Sequence, residues 1–388
     1  MNTPTLYLDI HVLQTLPPSN LNRDDSGTPK QALYGGVRRA RVSSQAWKRA
    51  TRKHFAATTP AVDQATRTKR VSALLNKVLM DRGGLSADQA QRVSTVLLAP
   101  LGISAKKKKD GSTDAQGETA YLLFFGRGQI EKIADQALSR VPQDIDALTD
   151  DELRQLLSDI NTQTELMSNH PLDVALFGRM VADLATLNVD ASVQVGHAIS
   201  THAMQLEFDY FTAVDDEKDR VAGDDVGAGM IGTVEFNSAT LYRYATVGIH
   251  QLLENLDGDQ VATTDGVTRF VDGFVRSIPT GHQNSFAHRT LPDAVIVVAR
   301  EDQPVNLVSG FEAPVSSVPG YRESSLCALA DEYDRVGTQW GGQPQLIASL
   351  YNGDHPNVRS VFGDSVTFEE MLVATGTAVS TFLAGVNA

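Results

Sequence analysis

Between residues 20 and 53 the chain reads NLNRDDSGTPKQALYGGVRRARVSSQAWKRATRK, a concentration of groups that bind anions. Phosphate oxygens only accept hydrogen bonds, so a reader of a nucleic-acid backbone needs guanidinium, ammonium, amide and hydroxyl donors near a helix start. Arg23, Lys30, Ser43, Gln45, Lys48 and Arg52 supply all four kinds. The chain carries a net charge of -13, yet thirteen Lys and Arg against four Asp fall in its first eighty residues. An acidic average does not exclude nucleic acid, because fields are screened beyond roughly 8–10 Å at physiological salt and one local strip suffices.

The elements that must position these groups follow from periodicity. TLYLDIHVLQ, residues 5–14, alternates Leu6, Leu8, Ile10 and Val12 against Tyr7, Asp9 and His11, the period of a half-buried strand. A loop rich in Pro, Asn, Asp and Gly then ends in Tyr34-Gly35-Gly36, where two glycines permit positive φ or close backbone approach to a ligand. VRRARV predicts a short extended segment, and SSQAWKRATRKHF a helix capped by Ser43 or Ser44. On that helix Gln45, Lys48 and Arg52 share a binding face, while Trp47, Ala50, Thr51 and His54 share a packing face. The nine basic residues in 23–53 would repel one another without an anion.

Composition sets the wider limits. A chain of 388 residues with 41% hydrophobic content can bury a large core in two or more units. No apolar run reaches the roughly 18–20 residues of a membrane span, and the N-terminus lacks a signal-peptide core, so a cytoplasmic protein without membrane partners is expected. Cys327 is the single cysteine, which excludes an intrachain disulfide and a thiolate cluster. Residues 60–170 read as a helical insertion, with TDDELRQLLSDINTQTELM as one of its helices and Lys106 to Lys109 as a solvated loop. Strand signals return at ASVQVGHAIS, TLYRYATVGI and TLPDAVIVVAR, followed by a helix near 321–336, a strand PQLIASLY and a final helix near 366–384.

Other residues carry competing readings. In LEFDYFTAVDD, period two puts Phe208, Tyr210, Thr212 and Val214 on one face and Phe211 on the polar face with Glu207 and Asp209. An aromatic there either packs under a neighbouring element or wedges against unstacked bases. Met180 reads as a core gap-filler on type alone. Asp24 and Asp25 could hold a metal or act as a base in RNA cleavage, or an Asp could simply orient Arg23. His197 and His202 lack metal-ligand context and read as core or strand histidines.

Three ordered blocks carry a resemblance. LNRDD with K-Q-A-L-Y-G-G and RRARVSSQAWKRATRK, then DVALFGRM at 173–180, then GHAISTHAMQLEFDYFTAVDD at 196–216 with GTVEFNSATLYRYA at 232–245 resemble the CasC family. That family is the crRNA-binding backbone subunit of the type I-E CRISPR Cascade complex, within the RAMP superfamily. The resemblance implies an α+β fold: a modified RRM-like (ferredoxin-like) palm with a helical fingers insertion and a β-hairpin thumb. The expected boundaries are palm 1–58, fingers 59–170, palm 171–205, thumb 206–238 and palm 239–388. It further implies a non-catalytic subunit, without cofactor or metal, that polymerises as further copies of itself along the crRNA guide, kinks it and presents it to target DNA. The other implied partners are the large and small subunits, the crRNA 5′-end cap subunit, the crRNA-processing endonuclease and, indirectly, a recruited helicase-nuclease. Met180 would insert beside a displaced nucleotide with Arg179 as its neighbour, Tyr210, Phe211, Thr212 and Val214 would form the thumb contact, and Gln283 in IPTGHQNSFAHR would face the RNA. His282 stands where related sequences commonly have lysine. The competing reading, taken from type III relatives, is metal-dependent RNA cleavage by Asp24 and Asp25.

Overall fold

Leu8, Ile10 and Val12 are fully buried, but so are Asp9, His11 and Leu13 on the opposite face, so the strand expected to be half-buried is covered on both sides. The computed structural model describes residues 4–101, 122–142, 144–181, 184–213 and 230–386. Its strands in chain order are Tyr7–Ser19 (β1), Gln31–Tyr34 (β2), Val37–Val42 (β3), Ala65–Thr68 (β4), Leu123–Gly126 (β5), Val193–Val195 (β6), Ala198–Ser200 (β7), Glu207–Ala213 (β8), Met230–Gly248 (β9), Ala294–Arg300 (β10) and Leu346–Tyr351 (β11). The main sheet follows the order β11-β10-β1-β9-β7-β3-β2, with antiparallel pairing of β1 to both β9 and β10. Helices and antiparallel sheet together make the α+β architecture expected from the sequence.

Contacts divide the chain into two units, the first comprising Met1–His54, Gln194–Gly248 and Val267–Ala388. One face of its sheet packs against helix Ser44–Thr58 (α1), where the Arg243 guanidinium of β9 lies 3.8 Å from the centre of the Trp47 ring. The other face carries Leu13, Tyr242, Ile296 and Val298 into a core with Leu326 and Leu329 of a helix spanning residues 321–340. Burial of Asp9 and His11 there is tolerated because both Asp9 oxygens and His11 Nδ1 have hydrogen-bond partners. Tyr244 Oη donates to Asp9 Oδ1 at 2.8 Å, the Val305 N–H donates to Oδ2 at 2.9 Å, and His11 Nδ1 lies 2.9 Å from Tyr242 Oη.

The second unit comprises Phe55–Val193 and Ile249–Gly266. Its core joins Leu75 and Leu79 of the helix Val71–Gly83 (α2), Val93 and Leu97 of Ala87–Leu98 (α3), and Ile130 and Ile133 of Arg127–Leu138 (α4). The single helix expected from TDDELRQLLSDINTQTELM is two, Asp150–Leu156 (α5) and Thr162–Met167 (α6), because Asn161 caps the second by accepting from the Thr164 N–H at 3.0 Å. Residues 171–193, expected in the palm, fall in this helical unit, as does 249–266. Helix Leu172–Phe177 (α7) is held to Ile249–Asn255 (α8) by Asn255 Nδ2, which donates to Ala175 O and Asp190 O, both at 2.8 Å. Lys106 to Lys109 lie outside the described residues.

Candidate nucleic-acid interface

The loop between β1 and β2 is shaped by its own polar side chains. Asp24 Oδ1 accepts from the backbone N–H groups of Ser26 at 2.9 Å and Thr28 at 3.1 Å, an Asx arrangement that turns the chain. Asn20 Nδ2 donates to Gly27 O at 2.9 Å and to Glu235 O at 3.0 Å, tying the loop to β9. Asp24 therefore serves the loop, and the carboxylate contact expected for Arg23 is replaced by one between Arg23 Nη1 and His282 Nε2. Gly281 sits against the loop so tightly that a Cβ there would stand 2.3 Å from Leu21 O. Gln283, exposed in the next turn, is thereby brought beside Arg23. The same turn holds Phe286, whose ring centre lies 5.7 Å from that of Phe236 on β9. Arg23, Gln283 and the root of the β8–β9 hairpin thus form one surface.

At the start of α1 the Ser43 N–H donates to Asn22 Oδ1 at 2.9 Å, and Ser43 Oγ accepts from the Ala46 N–H at 3.3 Å. Ser43 is the N-cap, but it is buried and its oxygen is engaged by the helix, which removes it from the expected set of surface contacts. Gln45 is exposed and Lys48 and Arg52 are half-buried, on the outward side of a helix whose Trp47, Ala50 and Thr51 point into the core. The divided helix faces match the spacing argument. Gly35 and Gly36 have φ of +58° and +76° and close the β2–β3 hairpin, and the close approach at Gly35 is to Glu312 O of the chain itself.

The charge argument counted one residue too many. Arg39 is fully buried and donates to four carbonyls, those of Tyr34 at 3.1 Å, Ser200 at 3.1 Å, Phe311 at 2.8 Å and Glu312 at 3.0 Å. Backbone dipoles hold that charge, so no external anion is required there. His197 also departs from its expected place in the core or in a strand: it is exposed between β6 and β7, and its Nδ1 accepts from the Ser44 N–H at 3.1 Å and lies 3.5 Å from Arg41 Nη1. Burial, Arg41 and Lys30 push its pKa down, so the ring is a neutral acceptor at the helix start. His202 is buried as expected, with its ring stacked 3.7 Å from that of Tyr321.

The hairpin is open on both of the faces that its alternation defines. β8 pairs with β9 from Glu207↔Phe236 to Ala213↔Met230, and both of its faces are open: Phe208, Tyr210 and Phe211 are 64%, 65% and 37% exposed. Tyr210 and Thr212 are therefore as available as Phe211, whereas Val214 lies outside the described residues. β9 is one continuous strand of 19 residues whose first part forms the hairpin and whose remainder enters the main sheet.

In the helical unit Met180 is 84% exposed, against its gap-filler reading, while the adjacent Arg179 is 5% exposed. Arg179 Nε donates to Leu187 O at 2.6 Å and Nη2 donates to Leu166 O at 3.0 Å, with Met167 Sδ at 3.1 Å. Burial lowers its pKa to about 10. Arg179 is a structural bracket, which corrects its expected role as an RNA contact. Among the described residues no group of three or more His, Cys, Asp or Glu is placed to hold a metal ion, and no helix is long and apolar enough to cross a membrane.

The model of the CT1975-like protein family matches residues 8–373. A chain of a CRISPR RNA-guided surveillance complex, pre-nicking, is similar with a TM-score of 0.80 and 31% identity, covering 96% of this chain and 100% of that one. A chain of another CRISPR RNA-guided surveillance complex is similar with a TM-score of 0.67 and 27% identity, covering 98% of this chain and 99% of that one. No curated protein matches the chain.

Proposed function

The chain belongs to the CT1975-like protein family, and from that premise we propose that it is the non-catalytic, crRNA-binding backbone subunit of a type I-E CRISPR Cascade complex. Its α+β fold is that of a surveillance-complex chain, matched over almost the full length of both. The observation that carries the reading is the single surface on which Arg23, Gln283 and the root of the β8–β9 hairpin meet beside the start of α1. Donors there suit a phosphate backbone, and the open aromatic hairpin suits a kink between stacked bases.

In this reading Arg23, Lys30, Gln45, Lys48 and Arg52 hold guide phosphates without regard to sequence. Tyr210, Phe211 and Thr212 form the thumb contact to the guide, and Met180 inserts beside a displaced nucleotide. Copies polymerise along the guide in the cytoplasm, and the segments between kinks pair with target DNA, so base pairing reads the sequence and protein reads shape. The remaining Cascade subunits and a recruited helicase-nuclease complete the partner set. The test is the salt dependence of single-stranded RNA binding. The Lys48→Ala, Arg52→Ala double variant should bind all sequences more weakly, with the salt slope reduced by about one per lost contact. An unchanged affinity and slope would remove α1 from the interface.

A further inference from the structure

Beside this surface a narrow cleft, with space on the scale of one water-sized group, opens between β1, β3 and β9. Ser19, Asn22, Lys30, Arg41 and Asn237 line it above an apolar floor that includes Leu241, and no carboxylate does. Ser19 and Asn237 are opposite one another in the β1–β9 ladder, 3% and 8% exposed. The Ser19 and Asn237 side chains both line the cleft, so water or a ligand there reaches their polar atoms. Asn22 has its Oδ1 engaged by the Ser43 N–H.

We propose that this cleft is a ribose subsite: Ser19 and Asn237 bind the 2′-hydroxyl of one guide nucleotide whose phosphate lies on Lys30 and Arg41. The inference rests on the RNA-binding reading of the same surface and adds to it a means of telling RNA from DNA. Cations alone attract either polymer equally, whereas a 2′-hydroxyl both donates and accepts and is absent from DNA. A serine hydroxyl and an asparagine amide each offer a donor and an acceptor, which matches that group on both counts. The space admits a hydroxyl and excludes a base. Arg41 is held in place for the phosphate by its Nε, which donates to Gln31 O at 3.1 Å.

The experiment compares a short single-stranded RNA, the same sequence as DNA, and the same RNA bearing 2′-O-methyl groups, all at one salt concentration. The unaltered protein should bind RNA more tightly than either analogue, because the methyl group removes the donor and overfills the cleft. Asn237→Ala and Ser19→Ala should each weaken RNA binding about 5- to 10-fold, the worth of one hydrogen bond, and leave DNA binding unchanged. Equal binding of RNA and 2′-O-methyl RNA by the unaltered protein, or an unchanged RNA-to-DNA ratio in the variants, overturns the subsite. If the Lys48→Ala, Arg52→Ala loss persists in that case, only the subsite falls. If the unaltered protein binds no RNA, the functional reading falls with it.

Discussion

Phe211 stands directly opposite Gly232 in the β8–β9 ladder, and its ring lies over the glycine so that a Cβ there would be 2.4 Å from Phe211 Cζ. The glycine leaves bare backbone for the ring to cover, and the ring gains a support that the otherwise open hairpin lacks. Phe211 is consequently the least exposed of the three aromatics on β8 while still presenting 37% of its surface.

Replacing Phe211 by Ala should cost roughly 1–3 kcal/mol of guide binding for each copy, the range for one base–aromatic stack. The melting temperature of the RNA-free protein should barely move, because the ring covers one glycine rather than filling the core. Gly232→Ala should act in the same direction by pushing the ring aside. Calorimetry of the free variants beside RNA titration checks this, and a large fall in melting temperature would place Phe211 in the stability of the fold.

Arg179 and Met180 are neighbours with opposite fates, and substitution should separate them. Arg179→Ala strips several buried carbonyls of their donor and should destabilise the protein by roughly 2–4 kcal/mol in denaturant unfolding. Met180→Ala should stay within about 0.5 kcal/mol of the parent while lowering guide loading. Equal stability losses would contradict the exposure difference.

Asp24 and Asp25 bear on catalysis. Asp24→Ala should loosen the β1–β2 loop and weaken guide binding through Arg23, since it removes the acceptor for the Ser26 and Thr28 N–H groups. Asp25→Ala should have a smaller effect. Complementary RNA incubated with the unaltered complex and Mg²⁺ should remain intact, and metal-dependent cuts lost in either variant would instead establish a nuclease.

Acid stability should reveal two opposed groups in the β1 core. Burial, outweighing the hydrogen bonds from Val305 and Tyr244, raises the Asp9 pKa from 3.8 to about 6. Its contribution is therefore present below about pH 4 and lost as pH rises through about 6. Burial and Arg300 lower the His11 pKa from 6.5 to about 3, so its contribution is present above about pH 6.5 and lost as pH falls towards 3. Between about pH 4 and 6 the two slopes oppose each other. Asp9→Asn removes the first, so stability should fall more steeply on acidification across that window, by up to about 1.4 kcal/mol per pH unit. An unchanged slope in denaturant titrations would show that Asp9 is not protonated there.

Periodicity and turn chemistry determined much of this protein in advance. The strands β1, β10 and β11, the split faces of α1 and the Ser43 cap were all legible, because each depends on residues within a few positions of one another. The ordered motif blocks likewise carried the resemblance to a Cascade subunit, which the matched family model and the similar surveillance-complex chains support, without reaching the type I-E CasC assignment. Tertiary structure decided which polar and charged residues face solvent, since that depends on what distant segment arrives above them. It turned Arg39 into a bracket for carbonyls from Ser200 and Phe311, Arg179 into one for Leu166 and Leu187, and His197 into a cap for α1. It also opposed Ser19 to Asn237 across more than two hundred residues of chain, a pairing that local spacing cannot encode because strand register is set only when the sheet assembles.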